Sequence, residues 1–361
     1  MESAERNRRQ MIICFGKAVA WITVSGAFVG SFSSGDSRQE MPDDRRRKRW
    51  SESHQLPNAN AEVLPVPGTR PEFTPLESHF RMDNSIRPPS LREESWKLRV
   101  EGLVDHPMEL TLNDIRKYDP THQFVTLACI TNPLGGPLMG TTRWTGVSMQ
   151  KILETVHPLT KAKHLKFRSA DGYYESMSVE SAQRDSLVML AYEWDGLPLS
   201  AEHGFPLRLY VPDLYGMRLP KWIVSISLMD RAEEGYWEER GWDAVAHVRA
   251  TATIDVVGNN RKLTRANGQL VIPIGGIAYA GARGISKVQI QVDRGPWQNA
   301  QLRAPLSATT WVLWRFEWPF KSGRHTFTVR CFDGFGTQQI TTEAPPNPSG
   351  ATGLYRITAN L

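Results

Sequence analysis

Beyond about Ala246 the chain changes character: short runs that alternate apolar and polar residues follow one another, separated by Gly, Pro and Asn, with little helical periodicity. Successive strand side chains point to opposite faces, so runs of this kind each bury one face, and a series of them reads as two sheets closed on each other, an all-β sandwich. In TTWVLWRFEW the residues Trp314, Phe316 and Trp318 share parity and therefore one face, while Trp311 falls on the other. At 361 residues the chain exceeds the size at which a single core stops growing. Two domains are expected, and 246–361 is the second.

The first domain spans 73–245 and has a mixed pattern. WKLRVEGLV at 96–104 alternates like a strand, and Thr111 or Asn113 is an N-cap candidate for a short helix in LTLNDIRKY. Ser148 precedes an apolar helical spacing through Met149, Ile152, Leu153 and Val156, and 164–179 reads as two strands turning at Asp171 and Gly172. The stretch 181–194 suits a helix or an irregular segment. KWIVSISLMD is another strand. Strands mixed with short helices, without repeated βαβ units, give an α+β arrangement.

Chemistry concentrates in FVTLACITNPLGGPLMGTTRWTGV at 124–147. Val125, Thr126 and Leu127 end a buried strand, and Asn132, Pro133, Gly135, Gly136 and Pro137 force an irregular loop beyond it. Cys129 therefore sits at a strand-to-loop junction, where a rigid element aims one side chain and a bare backbone approaches a bound group. A lone cysteine is most often a small buried hydrophobe. The three cysteines, Cys14, Cys129 and Cys331, build no disulfide framework and no C-x-x-C pair, and Cys331 reads as a packed strand residue.

The run T-L-x-C-x-x-N, the Gly-Gly loop and R-W-T-G-V together resemble the cofactor loop of the sulfite oxidase family of molybdenum enzymes. HGFPLRLYVP at 203–212 with YGMRLPKW at 215–222 resembles the family's cofactor-anchoring segment, and GIAYAGARGISKVQIQVDRGPW with TTWVLWRFEW resembles its immunoglobulin-like dimerisation domain. The resemblance runs from about residue 73 to the end. It implies a sulfite-oxidase-type molybdopterin-binding domain followed by an immunoglobulin-like sandwich, a molybdopterin (Mo) cofactor, Cys129 as the metal's protein ligand, and His203, Arg208 and Lys221 on the pterin phosphate and ring. Asn84 and Asp171 match positions near the pterin, although a turn carboxylate is an equal reading of Asp171. A homodimer and an external electron carrier, a c-type cytochrome or a membrane haem or quinone-linked subunit, are implied as partners.

Departures from the family pattern bear on substrate. Where sulfite oxidases carry substrate-holding arginines this chain has Met82 and Leu134, and Trp242 stands at the active-site tyrosine position. Losing guanidinium groups removes charge-assisted binding of a small dianion. A sulfoxide or N-oxide is thus an alternative to a sulfite-like substrate, with Arg81, Arg87 or Arg143 as compensating cations, and an exported scaffolding protein with a degenerate metal domain is the alternative of another class.

The net charge of +5 is largely local, because RNRR at 6–9 and RRRKR at 45–49 precede the folded region, which leaves a nucleic-acid function without support. Residues 1–35 run from basic to apolar, and Arg8 and Arg9 before Gln10 and Met11 resemble a twin-arginine signal, giving a periplasmic expectation with an uncleaved anchor as the alternative. Residues 36–72, rich in Pro, Ser, Asp and Arg, are expected to form a disordered linker.

Overall fold

The computed structural model describes residues 48–85, 87–258, 263–265 and 268–361. The export signal expected over 1–35, with Arg8, Arg9 and Cys14, lies outside the described residues.

Two sheets build the first domain. One runs in the order Met108–Leu110, Leu98–Gly102, Ile223–Met229, His164–Ser169, Tyr174–Ser178, with Leu98–Gly102 and Ile223–Met229 parallel and the other pairs antiparallel. The other carries Thr121–Ala128 at its edge, then Met139–Ser148 and Met189–Trp194, against which both Leu197–Pro198 and Arg208–Tyr210 pair. The helix Met149–Val156 buries Met149, Ile152, Leu153 and Val156 on this core, and Ser148 Oγ caps it by accepting from Gln150 N. Thr111 caps Leu112–Ile115 in a reciprocal box with Asp114, two residues each satisfying the other's backbone amide. Of 181–194, expected as helix or irregular, only the first part is helical, in Val179–Arg184; Met189–Trp194 is a strand, paired with Met139–Ser148 on one side and with Leu197–Pro198 and Arg208–Tyr210 on the other.

The second domain is the expected sandwich. Thr251–Val257, Leu270–Tyr279, Val312–Pro319 and Gln301–Leu302 form one sheet, with Leu263–Thr264 paired to Leu270–Tyr279, and Gln298–Asn299, Ile285–Val292, Arg324–Asp333 and Tyr355–Asn360 form the other. Trp314, Phe316 and Trp318 face the sandwich core with Val288, Phe327 and the buried Cys331. Trp311 faces the other way, into a cluster shared between the domains that holds Ala128, Ile130, Met139, Tyr215, Met217, Ile277 and Leu313.

The linker expected over 36–72 needs correction where it is described. Residues 48–72 pack along both domains: Val66 is buried, Ser51 bonds Asp195 through backbone and side chain, and Arg70 forks onto Asp255. Arg303 holds the end of the strap by donating to Glu72 at 2.9 Å and to the carbonyls of Asn58 and Val63, both at 2.9 Å. Composition does not reveal this order, because these partners lie between 144 and 245 positions away.

Glu72 and Arg303 are both buried, so breaking the pair from one side leaves an uncompensated charge. Glu72→Gln is expected to cost roughly 3–5 kcal/mol of stability in chemical denaturation. Pairing it with Arg303→Met should recover part of that loss, and a single variant as stable as the parent would remove the strap's structural role.

Candidate active site

Cys129 is the first residue beyond Thr121–Ala128, and the loop after it is held by its own backbone. Cys129 N donates to Leu138 O at 3.0 Å, Asn132 N donates to Cys129 O at 3.1 Å, and Leu138 N donates to Asn132 Oδ1 at 2.9 Å. Gly136 lies so close under Asn132 that a Cβ would stand 2.4 Å from its Oδ1, so only glycine fits this turn. The thiol is buried, with Sγ 3.0 Å from Thr131 Oγ1. Burial pushes its pKa up, and the Thr131 hydrogen bonds oppose this. Such a thiol is inert toward solution electrophiles, but a bound cation would remove its proton.

Cys129 lines a cleft of about 1100 Å³, measured to its open mouth. Met82, Asn84, Asp171, His203, Arg208, Lys221 and Trp242 line the same cleft, so the structure brings these predicted residues together from loops far apart in sequence. Asn84 is exposed at the lip, and Asp171 both lines the cleft and closes its turn by accepting from Tyr173 N at 3.1 Å. Leu134 departs from expectation. It points away, to within 3.0 Å of where a Cβ on Gly353 would stand, and lines a separate narrow crevice at the domain junction. The loop after Cys129 turns through Pro133 and Gly135 and carries Leu134 over to the second domain. The compensating arginines do not reach Cys129's surroundings: Arg81 pairs with Asp83, Arg143 stacks over Trp50 at 5.2 Å, and Arg87 is exposed.

One end of the cleft has an excess of basic groups. Arg208 is buried, donates to His203 O at 3.0 Å and lies 5.0 Å from the Trp144 ring, and no carboxylate contacts it among the described residues. Burial pulls its pKa down to about 10. Lys221 donates to the carbonyls of Met82 at 3.2 Å and Glu202 at 2.8 Å and pairs with Asp83, the same carboxylate that Arg81 uses. Burial, then the Arg81 charge, press the Lys221 ammonium downward. His203 Nε2 lies 3.2 Å from Phe80 O and Nδ1 lies 2.9 Å from Ser200 Oγ. A carbonyl only accepts, so the proton belongs on Nε2 and the serine hydroxyl donates to Nδ1. That tautomer is neutral. Burial first, and Arg208 second, hold the His203 pKa at about 4.

Sequence reasoning missed His79, Tyr173 and Trp237, which also line the cleft. His79 is buried 5.6 Å from the His203 ring, its Nε2 lacks a well-directed partner, and burial followed by the His203 charge lowers it to about 3. Tyr173 is half-buried and donates to Met217 O. His79 stands three residues before Met82 in HFRMDN, and its position at the head of that loop was the only available signal. Two basic side chains and two imidazoles held neutral, against one shared carboxylate, form a site that lacks an anion. A phosphate-bearing ligand would offset the buried charge.

Comparison with known proteins agrees with this geometry. The family described as oxidoreductase molybdopterin binding domain matches residues 85–237. Mitochondrial sulfite oxidase of Homo sapiens is 26% identical over 328 residues, covering 78% of this chain and 60% of that protein. Nitrate reductase [NADPH] of Aspergillus niger is 27% identical over 284 residues, covering 65% of this chain and 32% of that one. The chain spans about 60% of the length of the mitochondrial sulfite oxidases it matches. The crystal structure of the sulfane dehydrogenase SoxCD from Paracoccus pantotrophus superposes with a TM-score of 0.70 at 18% identity, covering 92% of this chain and 93% of that chain, a likeness of fold.

The depressed histidines carry a pH consequence. An unfolded chain protonates both imidazoles below about pH 6.5, whereas the folded protein keeps them neutral down to about 3 and 4. Stability is therefore lost as pH falls below 6.5, by about 2 kcal/mol from His79 alone between pH 6.5 and 5. Denaturation of protein freed of small-molecule ligands at pH 7 and pH 5 measures this, and His79→Gln should flatten the dependence. An unchanged slope in that variant contradicts the burial argument.

Proposed function

Because this chain belongs to the sulfite oxidase family of molybdopterin oxidoreductases, we propose that it catalyses oxygen-atom transfer to or from a small sulfur oxo compound and exchanges electrons with a separate redox carrier. The observation that carries the reading is one cleft with a buried thiol, Cys129, at one side and an anion-deficient basic end at Arg208, Lys221 and His203. These residues fit a molybdopterin. Arg208, lacking a carboxylate, presents a fork suited to phosphate oxygens, Lys221 adds a point charge, and the poorly partnered His79 Nε2 sits beside them. Cys129 supplies a soft sulfur donor, and one protein thiolate is sufficient where an organic dithiolene provides the others.

When bound, the molybdenum cofactor supplies two-electron oxygen-atom transfer. The protein's own part is placement. Thr131 orients the Cys129 sulfur, the Asn132 side chain fixes the loop, and Phe80, Trp237 and Trp242 exclude water from the reacting centre. A second reading, reduction of a sulfoxide or N-oxide, is supported by the lining of the mouth, where Met82, Met217, Trp237 and Trp242 present apolar surface without a cation.

Cys129→Ser replaces a soft donor with a hydroxyl and should reduce turnover at least a hundredfold while fold and pterin content remain. Metal analysis of protein from a molybdenum-replete host, with absorption spectra of parent and variant, checks this. Full activity with unchanged spectra in the variant would refute the ligand assignment. We also propose twin-arginine export, on the strength of Arg8 and Arg9. Replacing both with lysine should strand loaded protein in the cytoplasm, and normal periplasmic recovery would sink that idea.

A further inference from the structure

The first described residues of the strap lie against the outer side of the cleft's basic end. Trp50 N donates to Asp195 O at 2.8 Å, and Ser51 gives the Asp195 carboxylate both of its donors, the amide to Oδ1 at 2.9 Å and the hydroxyl to Oδ2 at 2.8 Å. Asp195 is buried, its backbone is left-handed, and its own N donates to Arg143 O at 2.6 Å. A buried carboxylate in that conformation persists only where its surroundings hold it, and here the strap supplies the bonds.

Asp195 opens the tight turn between Met189–Trp194 and Leu197–Pro198, so holding it holds Trp194. The Trp194 ring packs at 4.3 Å from that of His203, 5.6 Å from that of His79 and 5.8 Å from that of Trp144, whose face is covered by Arg208. A second tie runs from Arg49 to Glu77, in the short turn Leu76–Ser78 that delivers His79 to the cleft. That pair is largely open to solvent and contributes little alone, which leaves Asp195 as the main attachment. Residues 49–51 and Asp195 do not line the cleft themselves. They reach it through the Trp194 and His79 rings.

We propose that Ser51 and Asp195 are positioning residues for the group held at the basic end: strap docking fixes the Trp194, His79 and His203 rings around Arg208, and an anion bound there in turn fixes the strap. The inference rests on the reading that this end holds a phosphate-bearing cofactor, and it adds that contacts outside the cleft set how long that group stays. A guanidinium fork on phosphate oxygens weakens steeply with misalignment, so a loosened wall is read as faster release of the bound group, with the fold retained. Coupling of this kind is reciprocal. Whatever factor the docked strap adds to anion affinity, the anion adds to strap docking.

The rate at which the full-length holoprotein loses molybdenum and pterin, held below its unfolding temperature, tests one direction. Ser51→Ala and Asp195→Asn should each speed that loss about tenfold; asparagine tolerates the left-handed backbone and keeps one acceptor, so it removes only the charge. Arg70→Gln, which frees the strap's attachment at Asp255 beside the second domain, should leave the rate within about threefold, a separation that a general stabilising role would not give. Hydrogen exchange tests the other direction. In full-length protein stripped of small molecules, saturating inorganic pyrophosphate should slow exchange at the amides of Trp50 and Ser51 about tenfold, and Ser51→Ala should weaken pyrophosphate binding by a like factor. Release within about threefold of the parent in both Ser51→Ala and Asp195→Asn overturns the proposal, as do equal acceleration by Arg70→Gln and strap amides that exchange equally fast with and without pyrophosphate. Protein isolated without molybdenum or pterin would sink the proposed function instead, and the pyrophosphate arm then decides this inference alone.

Discussion

The strand that delivers Cys129 is an edge strand, and its open edge is closed by the other domain. Thr121–Ala128 pairs on one side with Met139–Ser148. On the other side Thr126 N donates to Thr309 O at 3.1 Å, Trp311 N donates to Thr126 Oγ1 at 2.9 Å, and the hydroxyls of Ser307 and Thr309 donate to Phe124 O at 2.7 and 2.9 Å. An exposed strand edge leaves backbone groups unsatisfied and invites mispairing. Here the loop 307–311 supplies those partners, and Trp311 then fills the apolar cluster beneath Ala128 and Ile130. The position of the thiol is therefore a property of both domains.

This dependence explains the density of long-range pinning around the junction. Asp213, with a left-handed backbone, accepts two bonds from Arg283, which also donates to Val248 O at 2.6 Å. Gly135 lies where a Cβ would fall 2.1 Å from the Tyr355 ring, so the loop beyond Cys129 rests directly on the second domain's last strand. A site assembled from fixed elements holds its geometry without reorganising at the moment of reaction, which is what electrostatic preorganisation requires. The strap over 48–72 adds a further tie across both domains through Glu72 and Arg303.

Features set by neighbours in the chain were legible in the sequence. The Ser148 cap and its amphipathic helix, the Thr111 box, the turn at Asp171 and the opposed faces of Trp311 and Trp314 all follow from local spacing, and the structure shows each of them. The gathering of Cys129, His203, Arg208 and Lys221 was legible only through resemblance, because no periodicity places those loops side by side. Leu134 was misplaced because an alignment position says nothing about which way a residue points once a Pro-Leu-Gly-Gly turn intervenes. The strap was misread for a related reason: its polar residues look solvated until their partners, on the far side of the chain, are known.

The distribution of charge at the basic end of the cleft bears on what that end can hold. The basic end of the cleft has already taken on the desolvation cost of Arg208, and two imidazoles beside it are held neutral, so it is matched to a ligand whose charge is permanent. A further cation placed beside those groups would raise that cost and compete for the same phosphate.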